Sequence, residues 1–351
     1  MKLRDRDAVE TPEGIVFRVY GYDHPPRAYI CDAEYAKETI YRSSEGRAVR
    51  EGARGRYYKF YEDEGLRFVK QRFPQYTLVH RALKEPVVAV EEGVGELRRT
   101  DERLHQLLEA VEDPLIEALK ELLDHVQSRS TLKPSNFGVF GSLQHGFHHP
   151  SYSDIDLVVY GRRELRELRG LLSEAYREAS PLKNEFEEPF KPGRWRFQHY
   201  SLEEFLQHQR RKLIYGLFKP KSLPRWVKVE FEPVRSWSEV VNEYELYSDV
   251  VKEGMVTVVA RVLRDDDAGF MPSIYEVEVE EVVEGPREAS EVQRVVSYVE
   301  EFRLQAFKDE RILVKGWLEK LEGRRRLLQV TLTRRERYYE QVVKAMALNK
   351  L

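Results

Sequence analysis

Phe140-Gly141-Ser142-Leu143-Gln144-His145-Gly146, then Phe147 to Tyr152, then Ser153-Asp154-Ile155-Asp156-Leu157-Val158-Val159: this segment carries the densest chemical information in the chain. Side chains two apart on a strand project from the same face. A strand from Asp154 to Tyr160 therefore sends Asp154 and Asp156 to one side and Ile155 and Leu157 into the core. Two carboxylates held side by side repel each other unless a cation lies between them. Mg²⁺ suits that arrangement, taking a few carboxylate oxygens while substrate phosphates and water complete its octahedron.

Gly141-Ser142 falls where the short apolar strand Phe137-Gly138-Val139-Phe140 turns into a helix. Gly141 lets the backbone approach closely, and the N–H groups that follow, with the Ser142 hydroxyl, can hold an anionic phosphate. Phosphate donors and metal-binding carboxylates then meet at the ends of neighbouring strands, which is what in-line displacement on a nucleoside triphosphate requires. A hydrophobic residue, Gly-Ser, a short spacer and Asp-hydrophobic-Asp together resemble the nucleotidyltransferase superfamily, which includes DNA polymerase β and the CCA-adding enzymes. Gly146 and Pro150 fall where the minimal members have them. One residue is inserted between Pro150 and Asp154, which a loop tolerates. The resemblance covers residues 137 to 235 and not the flanking segments.

That resemblance implies a third carboxylate on a later strand. Val227-Lys228-Val229-Glu230-Phe231-Glu232-Pro233 is the candidate. Alternation turns Val227, Val229 and Phe231 inward and leaves Glu230 and Glu232 on the active face. In some members of the family that the chain resembles, the acid precedes a Pro by three positions, which favours Glu230; its implied role would be to complete the metal site and take the proton of an attacking hydroxyl. Arg210-Arg211-Lys212, with Lys219, Lys221 and Arg225 beyond, offers cations for a triphosphate or an acceptor strand. A basic helix end favoured by the helix dipole is the plainer reading of the same residues. His145, His148 and His149 lack the further ligands a zinc site wants and read as loop residues. Asp265-Asp266-Asp267 reads as a charged hairpin tip.

Around this segment the chain has 351 residues, enough for two or three cores. Apolar residues make up 41% and charged residues 34%, a soluble globular balance with a heavily ionised surface. The 58 basic residues nearly match the 61 acidic ones, so a nucleic-acid partner is neither demanded nor excluded. No run of about 18 apolar residues occurs, so no spanning helix is expected and no membrane partner. The first residues lack the apolar stretch of a signal peptide. Cys31 stands alone, which excludes an internal disulfide and makes the cytoplasm the expected location.

The first hundred residues mix strands (Ile15 to Tyr22, Arg27 to Asp32, Tyr57 to Tyr61) with a helix from Gly65 to Phe73. An arginine-rich stretch holding Arg42, Arg47, Arg50, Arg54 and Arg56 reads as a solvated loop or as an RNA or phosphate contact. Apolar steps of three and four over 101–127 mark helix, broken at Asp113-Pro114 with Asp113 as N-cap. Helices are expected over Arg163 to Arg177 and Ser201 to Tyr215, and residues 180–200 look irregular. Met255 to Leu263, Ile274 to Val283, Ile312 to Leu321 and Arg325 to Leu332 read as strands, with a helical insert near 288–300 and a hairpin turn at Leu321-Glu322-Gly323-Arg324. That pattern suggests a small barrel of the OB type.

The expectation is an α+β protein: an N-terminal α+β domain over 1–98, a nucleotidyltransferase-type mixed sheet with helices over 99–240, and a mostly-β, OB-like domain over 241–351. What the resemblance implies is a metal-dependent transferase that uses Mg²⁺ or Mn²⁺ to move a nucleoside monophosphate from an NTP to an acceptor hydroxyl. Asp154, Asp156 and Glu230 would hold the metal, and Gly141, Ser142, Arg210, Arg211 and Lys212 the nucleotide. An RNA 3′ end is one acceptor. A protein hydroxyl, a small molecule, or a non-catalytic nucleic-acid-binding scaffold are the alternatives.

Overall fold

The structure is a computed structural model. It describes residues 3–347 other than 62, 81–84, 111–112, 189–194, 324–325 and 335–336. The expected turn residue Arg324 and strand start Arg325 lie outside the described residues. The chain divides into two compact units where three segments were expected: Met1–Lys183 with Gly216–Tyr244, and Asn184–Tyr215 with Glu245–Leu351.

In the first unit, β1 (Ala8–Glu10), β2 (Ile15–Val19), β3 (Ala28–Lys37), β4 (Val49–Gly52), β5 (Gly55–Lys59), β6 (Thr77–Val79), β7 (Pro86–Glu91) and β8 (Glu96–Arg98) form one eight-stranded sheet. Its order is β4-β5-β3-β2-β1-β8, with β7 on β3 and β6 on β7. At its centre both faces are buried, and the alternation along β2 shows why. Ile15, Phe17 and Val19 join a core with Val69 of helix α1 (Glu64–Arg72), while Val16 packs with Tyr35, Tyr57 and Phe147. Phe147 follows the Gly-Ser segment, so the N-terminal sheet is built against the motif and does not fold away from it. The arginine-rich stretch is largely the β4–β5 hairpin and not a loop, its charges paired at the surface: Arg54 with Glu96, Arg56 with Glu51.

Helices α2 (Thr100–Glu109) and α3 (Pro114–Gln127) follow. Asp113 caps α3 as expected, its carboxylate accepting from the Leu115 and Ile116 N–H groups at 2.8 and 3.2 Å. Then come β9 (Phe137–Val139), the short helix α4 (Gly141–His145), β10 (Ile155–Tyr160), α5 (Arg162–Ala175), β11 (Leu182–Asn184), β12 (Tyr215–Phe218) and β13 (Val227–Val234). They make a mixed five-stranded sheet in the order β11-β12-β13-β10-β9, with β10 parallel to β13 and antiparallel to β9. Strands β11 and β12 went unread in the sequence, because three- and four-residue strands give alternation too little length to show.

The second unit begins where the chain leaves the end of β11. Its helix α6 (Leu202–Lys212) starts at Ser201 with a reciprocal capping box to Glu204 and stops at Leu213 in the left-handed region, short of the expected Tyr215. Five strands then close on themselves: β14 (Tyr247–Asp267), β15 (Ser273–Glu284), β16 (Arg294–Ser297), β17 (Arg311–Gly323) and β18 (Leu327–Leu332). The ring runs β14-β15-β16-β18-β17 and back to β14, and β19 (Val342–Ala345) pairs with β17 outside it. The β16–β18 pair is parallel and the other pairs are antiparallel. Val258, Ala260, Val262, Tyr275, Val295, Val314, Leu318 and Val330 are buried in this unit. The helical insert expected near 288–300 is corrected: it holds strand β16 between short 3₁₀ turns at Arg287–Glu291 and Glu300–Phe302.

Candidate active site

The site is assembled from the bend between β9 and α4, from Asp154 just before β10, and from the first residues of β10. The Phe140 N–H bonds the Asp156 carbonyl at 3.0 Å, extending the β9–β10 ladder by one step. The chain then turns at Gly141, whose φ is 62°. A side-chain carbon there would collide with Asp156 Oδ2. Glycine is therefore required twice at this position, by its backbone angle and by the carboxylate pressed against it. Ser142, half-exposed, opens the helix that follows.

Ile155 and Leu157 are fully buried, which leaves Asp154 and Asp156 half-buried on the opposite face. The pair is electrostatically coupled. Burial, then the neighbouring Asp154, pushes the Asp156 carboxyl up to about 7 against the pull of Lys59 and Lys228. Burial also raises Asp154, opposed by Lys228 and Arg225. A carboxylate that resists ionisation beside a second carboxylate marks a place where positive charge is wanted.

Glu230 is the register partner of Asp156 on parallel β13, so the two side chains leave the sheet on the same face. Glu232, the other candidate, is completely buried and ion-paired with the buried Arg6 guanidinium. Geometry therefore separates the two glutamates. Among the described residues, no three His, Cys, Asp or Glu side chains converge closely enough to hold a metal by themselves. Asp154 and Asp156 supply oxygen donors of the kind Mg²⁺ takes when it binds through one or two carboxylates and fills its remaining positions with substrate phosphates and water. The donor set fits that ion.

The expected cations divide. Arg225 fixes the loop that leads into Asp154: its guanidinium donates to the Pro150 carbonyl at 3.0 Å and to that of Ser153. Lys219 is turned back to the Pro224 carbonyl, and the Lys221 N–H bonds Glu121 of α3 at 2.6 Å. Arg210, Arg211 and Lys212 belong to the second unit and are engaged within it. Arg210 bonds the Phe186 carbonyl at 2.9 Å, buried Arg211 pairs with Glu310, and buried Lys212 bonds the Glu301 carbonyl at 2.7 Å. Of the histidines, His148 contacts Asp113 at 3.2 Å and His149 stacks on Tyr152. His145 is buried in α4, accepting from Arg98 on Nδ1 at 3.0 Å and facing Glu34 with Nε2 at 3.7 Å.

Three residues that sequence reasoning did not single out act on the pair. Lys228 shares the face of Glu230, and alternation along β13 already placed it there. Glu34 and Lys59 come from the N-terminal sheet, far away in sequence, with no signal in the pattern. Glu34 is the extra residue of a bulge in β3, where Val16 and Phe17 pair with Tyr35 and Ala33. Bulges re-aim side chains, and this one lets both Glu34 and Tyr35 reach His145. Burial pushes Glu34 up, but contact with His145 and the charges of Lys59 and Arg6 outweigh it and hold the carboxyl below its ordinary value.

The uncharacterised protein MJ1086 of Methanocaldococcus jannaschii is 26% identical over 359 aligned positions, covering 97% of this chain and 99% of that one. No solved structure matches significantly. Residues 119–216 match the family model described as a nucleotidyltransferase domain, a span that takes in the later part of α3, the Gly-Ser bend and both aspartates but stops short of Glu230. The chain thus carries, between α3 and β12, a domain of the nucleotidyltransferase superfamily.

Proposed function

We propose that this protein moves a nucleoside monophosphate from an NTP to an acceptor hydroxyl, in a divalent-metal-dependent reaction that releases pyrophosphate. The observation that carries the reading is the coupled pair Asp154–Asp156 set against Gly141 of the strand-to-helix bend. The ion, when bound, neutralises charge on the triphosphate and on the attacking oxygen. Asp154 and Asp156 hold it, and the α4 N–H groups with Ser142 orient the phosphates. Glu230, beside Asp156 in register, receives the proton of the acceptor hydroxyl. Arg225 keeps the loop before Asp154 in place. Arg210, Arg211 and Lys212 are not assigned to the nucleotide in this reading, because their charged ends are taken up within the second unit.

The acceptor we propose is an RNA 3′ end. Support comes from the second unit, a closed ring of five strands with a single parallel pair that we read as OB-like, a fold that is a common platform for single strands. Incubation with each α-labelled NTP, Mg²⁺ or Mn²⁺ and total RNA tests both parts. Label entering RNA, lost in Asp154→Asn/Asp156→Asn, is the expected result. Label entering protein or a small molecule keeps the chemistry and overturns the acceptor. No pyrophosphate release with any NTP and metal overturns the whole reading.

A further inference from the structure

Beside the C-terminal end of α4 lies a cavity of about 260 Å³ whose walls include Arg54, Arg98, Arg99, Arg103, Gln144 and His145. At roughly 30 Å³ per water molecule, it holds a phosphate group together with part of its hydration. Three of the four arginines are neutralised by neighbours. Buried Arg98 pairs with buried Glu10, Arg54 with Glu96, and Arg99 with Glu102 at 2.9 Å. The acids on the cavity wall, Glu96 and Glu102, are thus turned to Arg54 and Arg99.

Arg103 is different. Half-buried on α2, it donates to the Leu143 carbonyl at 3.2 Å and to the Gln106 side-chain oxygen at 3.1 Å, and no carboxylate pairs with it among the described residues. Burial, then the charges of Arg54 and Arg98, holds it below the ordinary guanidinium value. A half-buried cation next to two like charges favours an anion beside it. A phosphate dianion is such an anion, and the planar fork of arginine matches its oxygens two at a time.

We propose that this cavity binds a phosphate monoester or free phosphate through Arg103, at a site separate from the Asp154–Asp156 pair. The contact of Arg103 with the Leu143 carbonyl couples the site to α4, the helix that opens at Gly141. Nothing in this inference depends on nucleotidyl transfer, because binding is read without NTP or metal.

Calorimetric titration of the full chain with inorganic phosphate and with AMP, in chelated buffer at matched ionic strength, tests it. Arg163→Gln, which removes a solvated arginine on α5, serves as the control for bulk charge. The expected result is saturable binding by wild type and by Arg163→Gln, weakened about tenfold or more in Arg103→Gln. Arg103→Lys keeps the charge without the fork and falls between them; it carries the test if Arg103→Gln does not fold. AMP binding tighter than phosphate identifies a nucleotide phosphate as the ligand, and equal affinities identify the phosphate group alone. Absence of saturable binding in wild type, or unchanged affinity in the Arg103 variants, overturns the proposal.

Discussion

Asp156 and Glu230 are register partners on parallel strands β10 and β13, and Glu232, two residues further along on the same face, is completely buried and paired with Arg6. The two glutamates share a face of β13 but differ in burial and partner, and so differ in what their loss does. Glu230→Gln leaves stability nearly unchanged and lowers turnover by about 10²–10⁴-fold, the usual contribution of a positioned base. Glu232→Gln strands a buried guanidinium and costs about 3–5 kcal/mol of stability. Denaturant unfolding of both variants, alongside a pyrophosphate-release assay, separates the roles.

Gly141→Ala introduces a side-chain carbon into Asp156 Oδ2 at a left-handed backbone position. We expect a loss of about 1–3 kcal/mol from the strained backbone. Turnover falls by about 10² or more as Asp156 is displaced. Ser142→Gly, which keeps the backbone free, raises the KM for NTP without comparable destabilisation. Melting curves and steady-state kinetics report the two effects.

The Asp156 carboxyl titrates near 7 in the folded chain and at the ordinary carboxylate value when unfolded. Between those values the folded chain holds the extra proton, so metal-free stability is highest on the acid side and falls as pH rises toward 7. Asp156→Asn removes that decline, and its melting temperature exceeds wild type's by more at pH 8 than at pH 5. Because the ion binds the deprotonated pair, Mg²⁺ affinity of wild type rises through the same window. Thermal melts across pH, with and without Mg²⁺, check both trends.

Arg225→Gln frees the carbonyls of Pro150 and Ser153 and loosens the approach to Asp154. Turnover drops about tenfold or more while overall stability moves by about 1 kcal/mol or less, the scale of a partly exposed hydrogen bond. Steady-state kinetics paired with melting curves measure this.

Much of the candidate site could be read from residues alone because it depends on local geometry. Alternation put Asp154 and Asp156 on one face, and the Gly-Ser bend follows from a strand meeting a helix. What could not be read depends on contacts between distant segments. Nothing in the sequence near Glu34 or Lys59 announces that a bulge in β3 and the end of β5 bring them to act on Asp156. Arg210, Arg211 and Lys212 looked like phosphate ligands because charge is visible in sequence and its neutralisation by Glu310 or a carbonyl is not. The sheet of the first 98 residues was likewise unreadable as a partner of the motif, since only the fold shows Val16, Tyr35 and Tyr57 closing on Phe147.

In the proposed reaction Asp154 and Asp156 share a divalent ion with a bound triphosphate. Titration with Mn²⁺ followed by electron paramagnetic resonance, with and without a non-hydrolysable NTP analogue, tests it most directly. The expected result is weak binding to the protein alone, a marked gain with the analogue, and loss of that gain in Asp154→Asn/Asp156→Asn. Equal Mn²⁺ binding by wild type and the double variant in the presence of the analogue contradicts it.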